Sequence, residues 1–365
     1  MSNAQPAGMP VPGLLRHANH NTEATSIAMR FWARSIGDRN PRHIVEAYRS
    51  STGGVGFSAH PCWLYSVQDT VLASGPKGTC PIIAGTDWIF RRPVGTGERI
   101  TTVARLESEK RSASRFAGEC LIQTVSVQYL DSRMQEIAHA RSTLFHVQPE
   151  AAREAGKHKA WKRWRYTREE LDAIERDYDA EHIRGDEPRY WEEVDVGDEI
   201  PAIVRGPLSS EEIVLFVGAT RPIPGMAAFT RAMSTHDEMG FIHPRTGSFE
   251  TYAAGLVDDE SAQQLGFPAA HDYGIDRISQ MTSLLTNWSG DAGQLMSMKT
   301  RLLAPNMLGD TTWFRGRVTS KQDPVGTTGL IEVEISGTNQ RGEATLRGAA
   351  RLALPRRVPK GPHPE

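Results

Sequence analysis

The distribution of apolar and polar residues in the first half of the chain predicts one helix followed by several antiparallel strands. Residues 25–35 have a helix-forming composition, with Ile27, Phe31 and Trp32 as apolar anchors. Strand-like segments separated by turn residues follow at residues 86–93, 99–106, 120–129 and 138–147. This order predicts an α+β unit in which a sheet wraps around a helix.

The second half of the chain repeats this pattern. A proline-to-glycine step followed by an acid occurs at residues 93–98 and again at residues 305–310, and a strand-like segment follows each. The apolar segment at residues 59–67 is the predicted start of the central helix of the first copy. Apolar residues at helical spacing mark the central helix of the second copy, namely Ile275, Ile278, Met281, Leu284 and Leu285. We therefore predict two copies of one unit, the second lengthened by an insertion at residues 222–267.

These features divide the chain into segments of different character. They predict an N-terminal arm at 1–20, a first unit at 21–148, a linker at 149–188, a second unit at 189–356 and a tail at 357–365. The linker contains Thr167 and Glu170 at the spacing of a capping box, which predicts one amphipathic helix there.

Composition and charge exclude several classes of function. The 365 residues include 42 Lys and Arg and 44 Asp and Glu, so the formal net charge of −2 gives no reason to expect a nucleic-acid partner. The 3 cysteines are far apart, which predicts neither a disulfide scaffold nor a structural metal site. The sequence lacks an apolar run of about 18 residues and an apolar signal core, so we expect no membrane partner and a cytoplasmic location.

Candidate chemistry is concentrated at the end of the first predicted helix. Asp38 and His43 are separated by Pro41, which prevents one helix from continuing through both. The chain must therefore turn, and a carboxylate and an imidazole that converge beside a pocket form a general acid–base pair. Spacing alone also allows a helix end, a Gly-Asp turn and an exposed histidine.

A dense local motif connects this turn with a known family. It consists of Ala33, Ser35, Gly37, Asp38, Asn40, Pro41 and His43. The motif resembles the hydratase motif of the MaoC-like (R)-specific enoyl-CoA hydratases and dehydratases. Residues 87–98 are similar to the dehydratase region of fungal-type fatty acid synthases, and residues 208–218, 271–274 and 302–318 resemble the second half of two-domain members. The resemblance implies a double hot-dog fold.

The resemblance also implies an activity and its residues. The expected reaction is the reversible hydration of a 2-enoyl-CoA to the (R)-3-hydroxyacyl-CoA, a lyase reaction of fatty acid metabolism that needs no cofactor. Asp38 and His43 would be the catalytic pair, and Asn40 would hold the loop and the water. The substrate carbonyl would bind at the turn formed by His60, Pro61, Cys62 and Trp63, where backbone N–H groups begin a helix. Pro61 stands where simpler hydratases have glycine.

The second copy lacks the acid–base residues. Alignment of Gly218 with Gly37 puts Ala219, Arg221 and Pro224 at the positions of the motif's Asp, Asn and His. The second motif therefore cannot perform this chemistry. Its insertion could shape an acyl tunnel or form a small separate core. The segment His271-Asp272-Tyr273 could be a second polar site or serve capping and burial.

Other functions remain open at this stage. A hot-dog acyl-CoA thioesterase would use the same fold and release free thiol. A non-catalytic acyl-thioester-binding subunit of a hetero-oligomeric hydratase is the third possibility, because the second motif is degenerate. The resemblance implies a homodimer as the default assembly.

Overall fold

A computed structural model describes residues 14–15, 20–51, 56–70, 75–76, 78–114, 118–154, 161–220 and 240–357. The rest of the predicted N-terminal arm and the predicted tail beyond Arg357 lie outside these described residues. Within the described ranges, no helix combines the length and the apolar character needed to cross a membrane.

The helices of the described chain are mostly short. They are α1 (Ser26–Ser35), α2 (Pro41–Ile44), α3 (Leu64–Val67), α4 (Pro149–Glu154), α5 (Arg168–Asp179), α6 (Ser210–Thr220), α7 (Asp259–Gln264) and α8 (Gly274–Ser289). Short 3₁₀ turns occupy Pro61–Trp63, Trp191–Glu193 and Tyr252–Leu256.

The first helix packs with a different face from the one predicted. Its buried positions Met29, Trp32 and Ala33 have the spacing of one helical face, whereas Ile27 is 72% exposed and Phe31 is 41% exposed. The prediction was therefore right for Trp32 and wrong for the other two anchors.

Most strands of the described chain belong to one large antiparallel sheet. The strands are β1 (Leu14–Leu15), β2 (Cys80–Phe90), β3 (Thr101–Ser114), β4 (Gly118–Leu130), β5 (Glu136–Val147), β6 (Glu199–Arg205), β7 (Gly240–Ile242), β8 (Phe249–Thr251), β9 (Gln294–Leu302), β10 (Thr312–Val325), β11 (Thr328–Asn339) and β12 (Ala344–Pro355). The ten-stranded sheet has the order β1-β3-β4-β5-β2-β9-β12-β11-β10-β6. The order of β3, β4, β5 and β2 is mirrored by β10, β11, β12 and β9, as expected for two copies of one unit.

The two halves meet where β2 pairs with β9. The paired residues are Asp87 with Lys299, Trp88 with Met298 and Ile89 with Ser297. The largest apolar core contains residues of both halves, so neither half buries its apolar face alone.

The central helices of the two halves differ in length. Helix α8 has 16 residues and buries all five apolar positions predicted for it. In the first half, a 3₁₀ turn at Pro61–Trp63 continues into the four residues of α3. The 3₁₀ turn before α3 contacts α8 through Cys62, whose Sγ lies 3.3 Å from Thr282 Oγ1.

The predicted linker contains α4 and α5. The capping box is formed at α5, because the Glu170 N–H donates to Thr167 Oγ1 and the Thr167 N–H donates to Glu170 Oε2. Helix α5 leads directly to Glu181, a buried acid beside the first motif.

Part of the predicted insertion can be described. Residues 240–267 contain a small hairpin of β7 and β8 and the helix α7. Phe241 packs against an apolar cluster, separate from the largest core, that joins Leu265 and Phe267 to Cys80 and Val147 of the first half. Residues 221–239 lie outside the described residues, and with them Arg221, Pro224, Met226, Phe229, Met233 and Met239.

Candidate active site

The motif turn begins where α1 ends. Gly37 has a φ of 69°, a left-handed conformation that favours glycine, and its N–H donates to the Arg34 carbonyl. The next N–H, of Asp38, donates to the Ala33 carbonyl over 2.9 Å. These two bonds close the helix and direct the Asp38 side chain back towards the chain that follows.

A second short helix returns the histidine to the carboxylate. Asn40 is the N-cap of α2, because its Oδ1 accepts the Arg42 N–H over 3.1 Å, and Pro41 occupies the first helical position. His43 lies in that single turn, with its Nδ1 2.6 Å from Asp38 Oδ2. The structure therefore brings the two predicted catalytic residues into direct contact.

The Asp38–His43 pair is buried, with side chains that are almost completely withdrawn from solvent. Burial acts to raise the pKa of Asp38, but the His43 charge and hydrogen bond, together with the Asn40 N–H, outweigh it and lower this pKa to about 2. Asp38 is therefore an ionised acceptor, and the His43 Nδ1 in contact with it must carry a proton. This leaves the Nε2 atom of His43 as its other functional nitrogen.

A second histidine lies across from His43. The ring centroids of His43 and His60 are 5.3 Å apart and the ring planes meet at 80°. His60 Nδ1 accepts the Cys62 N–H over 3.2 Å and so caps the 3₁₀ turn that follows. Burial lowers the pKa of His60 to about 3, so its ring is neutral near pH 7.

Both histidines line a small cavity of about 50 Å³ between the two halves. Its first-half wall includes Pro61 and Leu64, and its second-half wall includes Thr286 and Leu295. The volume is enough for at least one water molecule, which needs roughly 10–15 Å³ of such space. The site therefore offers a water-sized space beside the Asp38–His43 pair and the neutral imidazole of His60.

The predicted substrate-binding residues separate into two groups. His60 and Pro61 line the cavity, whereas Cys62 and Trp63 are fully buried in the core and do not line it. On this helical turn Pro61 and Leu64 are three residues apart and share the cavity face, so the two residues between them point elsewhere. Burial also raises the pKa of Cys62 to about 12, which keeps it a thiol.

The backbone donors expected at this turn are already engaged. Pro61 has no N–H, the Cys62 N–H donates to His60 Nδ1, and the Trp63 N–H donates to the His60 carbonyl over 2.8 Å. In this geometry neither N–H group is free to bind a substrate carbonyl, and the expected carbonyl-binding role of the turn stays a prediction.

A buried polar network supports the motif turn from behind. Asn40 Nδ2 donates to Asn287 Oδ1 over 3.4 Å, and Asn287 Nδ2 donates to Glu181 Oε1 over 3.0 Å. Glu181 accepts two bonds from Arg205, at 2.9 and 3.1 Å. The Arg205 side chain packs beneath Gly37, where an added Cβ would lie 3.3 Å from Arg205 Nε.

Glu181, Arg205 and Asn287 were not among the residues predicted for this site. Asn287 carried a signal, because it is a polar residue three positions after Leu284 on the buried side of α8. The other two residues come from the linker and from β6, and nothing near them in the sequence connects them with residue 38.

In the polar segment before the second central helix, Asp272 forms a buried ion pair with Arg277. Arg277 donates to both carboxylate oxygens of Asp272, over 2.7 and 2.8 Å, and the Asn306 N–H donates to the same carboxylate over 3.0 Å. Burial lowers the pKa of His271 to about 4. Among the described residues, no group of three or more His, Cys, Asp and Glu side chains could hold a metal ion.

Comparison with known proteins adds to this description. No family model and no curated protein matches the chain, but solved structures do. A MaoC-like dehydratase superposes with a TM-score of 0.64 at 17% identity and covers 95% of this chain and 98% of its own. A MaoC domain dehydratase from Chloroflexus aurantiacus has a TM-score of 0.58 at 12% identity, with 98% and 100% covered. A Mycobacterium tuberculosis protein with a double hotdog fold has a TM-score of 0.56 at 12% identity, with 94% and 96% covered.

The chain has a double hot-dog fold. The similarity extends over nearly the whole chain, and the mirrored strand order agrees with it. The predicted α+β double hot-dog architecture is therefore confirmed. At these identities the similarity concerns the fold, so the activity and the specific relation to fungal fatty acid synthases remain predictions.

Proposed function

We propose that this double hot-dog chain is a MaoC-like hydro-lyase that reversibly adds water to a 2-enoyl-CoA and forms the (R)-3-hydroxyacyl-CoA. The observation that carries the proposal is the 2.6 Å contact between Asp38 and His43 at the wall of a small cavity. The two solved dehydratases support it through their shared fold.

The arrangement of the pair suggests how the proton moves. His43 Nε2 takes a proton from the cavity water as the water oxygen bonds to C3 of the enoyl group. The resulting imidazolium is balanced by Asp38, whose pKa of about 2 keeps it ionised. The same proton is then delivered to C2, so the elements of one water add across the double bond and no other reactant is needed.

Substrate binding requires the cavity to widen. A cavity of about 50 Å³ is far smaller than the roughly 300–1,000 Å³ of typical ligand pockets. Leu64, Phe90 and Leu295 form apolar parts of its wall, and their displacement would admit an acyl chain next to His43. We propose that the acyl group enters there, between the two halves of the chain.

A direct assay distinguishes hydration from other thioester chemistry. The purified chain is incubated with short, medium and bulky 2-enoyl-CoA substrates, and loss of the enoyl-thioester absorbance is followed beside a thiol reagent. We expect loss of absorbance without free thiol and a decrease of about 10² to 10⁴ in rate for Asp38→Asn and His43→Gln.

The linker residue His182 provides a matched control, because it is exposed. His182→Gln should hydrate as fast as the parent chain. Release of free thiol would instead support a thioesterase. Tight binding of the thioester without turnover would support a non-catalytic subunit, and equal rates for Asp38→Asn and the parent chain would refute the assigned pair.

A further inference from the structure

His60 has one ring nitrogen that is used and one that is not. Its Nδ1 accepts the Cys62 N–H, whereas its Nε2 is buried and has no hydrogen-bond partner among the described residues. The residue is 1% exposed and lines the cavity beside His43. A buried polar atom without a partner is uncommon in folded proteins and calls for a functional explanation.

The hydrogen bond to Nδ1 determines which nitrogen carries the proton. A backbone N–H can only donate, so Nδ1 must offer its lone pair to Cys62. A neutral imidazole has one N–H, which therefore lies on Nε2. Burial lowers the pKa of His60 to about 3, so the neutral form is the form present at physiological pH. His60 thus presents a fixed, uncharged N–H donor.

The cavity lacks the backbone donors that the turn could have supplied. Pro61 has no N–H, and the N–H groups of Cys62 and Trp63 are bound to His60 itself. Addition of water to an enoyl thioester moves negative charge onto the thioester oxygen, which needs a donor at that moment. The His60 ring meets the His43 ring edge to face, with centroids 5.3 Å apart, and both rings line the cavity, so a substrate that enters beside His43 also lies beside His60.

We propose that the His60 Nε2–H donates a hydrogen bond to the substrate thioester oxygen and stabilises the enolate formed during hydration, in place of the backbone N–H that Pro61 lacks. This inference rests on the proposed hydratase function. The Cys62 N–H bond holds the ring in the donating tautomer, so the donor is oriented before the substrate arrives.

Two substitutions separate the donor from the cap. In His60→Asn the amide oxygen can take the place of Nδ1 and still accept the Cys62 N–H, but no donor reaches the position of Nε2. In His60→Gln the longer side chain places an amide N–H near that position. We expect His60→Asn to retain its melting temperature and KM but to lose about 10² to 10³ in kcat, and His60→Gln to recover part of that loss.

A spectroscopic measurement tests the same contact without turnover. Butyryl-CoA has the thioester group but no double bond to hydrate. Isotope-edited infrared difference spectra should show its carbonyl stretch at lower frequency when bound to the parent chain or to Asp38→Asn, and this shift should be absent with His60→Asn. An unshifted carbonyl in the parent chain, or an equal shift with His60→Asn, would overturn the inference.

The two proposals fail in different ways. A shifted carbonyl in a chain that hydrates none of the enoyl-CoA substrates would refute the hydratase function and keep His60 as the carbonyl donor. Normal hydration by a folded His60→Asn would refute the His60 assignment and keep the hydratase function.

Discussion

Acidification should weaken the folded state through the buried ring of His60. This residue is 1% exposed, and burial lowers its pKa from 6.5 to about 3. The unfolded chain therefore binds a proton at His60 below about pH 6.5, while the folded chain does not. The stabilising contribution is fully present above that pH and is lost as the pH falls towards the folded-state pKa.

The size of this effect follows from the two pKa values. In the unfolded chain this histidine is exposed and binds a proton at about pH 5. That protonation favours the unfolded state by about 2 kcal/mol relative to about pH 8. Because the folded-state pKa of His60 lies well below pH 5, the result depends almost entirely on the unfolded pKa. The loss of about 2 kcal/mol is a large share of a typical free energy of unfolding of about 5–15 kcal/mol.

Another buried group acts in the opposite direction. Burial raises the pKa of the Asp276 carboxyl well above its usual range, with the charge of Asp272 adding to the effect. A raised carboxyl pKa contributes stability at low pH that is lost as the pH rises. The pH dependence of the whole chain therefore mixes both effects, and the contribution of His60 must be measured as a difference between variants.

Urea unfolding of the parent chain and of His60→Asn at about pH 8 and about pH 5 provides that difference. We expect the parent chain to lose about 2 kcal/mol more than the variant between the two pH values. His182→Asn, at an exposed site, is the control and should track the parent chain. If the difference in free energy of unfolding between the parent chain and His60→Asn is the same at both pH values, the assignment of His60 as a neutral buried ring is refuted.

Other predictions concern residues that surround the site. Glu181→Gln removes the charge that pairs with the buried Arg205 and should cost about 3–5 kcal/mol in urea unfolding; a loss below about 1 kcal/mol would contradict this. Gly37→Ala forces a side chain into a left-handed turn and should lower stability by about 1–2 kcal/mol in thermal unfolding, whereas an unchanged melting temperature would argue against the turn geometry. The 3 cysteines are all buried, and burial raises the pKa of Cys62 to about 12, so a thiol reagent should label none of them quickly until denaturant is added.

Local features of the sequence predicted the turn that carries the Asp38–His43 pair. The conformation of this turn is determined locally. Gly37 adopts a left-handed conformation, Asn40 is an N-cap and Pro41 starts a helix, and each acts within a few residues. The strand series and its repeat were predictable for the same reason. Apolar segments and turn residues are local signals, and β2 to β5 and β10 to β12 lie in the segments predicted from them.

Contacts between distant segments could not be predicted in the same way. Asn40 and Asn287 are 247 positions apart, and the network that joins them to Glu181 and Arg205 exists only once β2 pairs with β9. The engagement of the Cys62 N–H by His60 was also missed, because helix-terminal donors are free only when no neighbouring side chain accepts from them.

The two halves of the chain contribute differently to one site. The first half supplies the Asp38–His43 pair and His60, and the second half supplies Thr286 and Leu295 of the cavity wall and Asn287 behind the turn. The buried ion pair of Asp272 and Arg277 occupies the start of the second central helix. Under the proposed function, the first unit would carry the chemistry and the second would complete its surroundings.

Incubation with crotonyl-CoA in water enriched in oxygen-18 tests the central claim most directly. Mass spectrometry of the products should show an intact acyl-CoA that has gained one labelled water, with the label in the hydroxyl group at C3, and Asp38→Asn should form almost none of it. Label in a free carboxylate with release of CoA, or equal product from Asp38→Asn, would contradict the account.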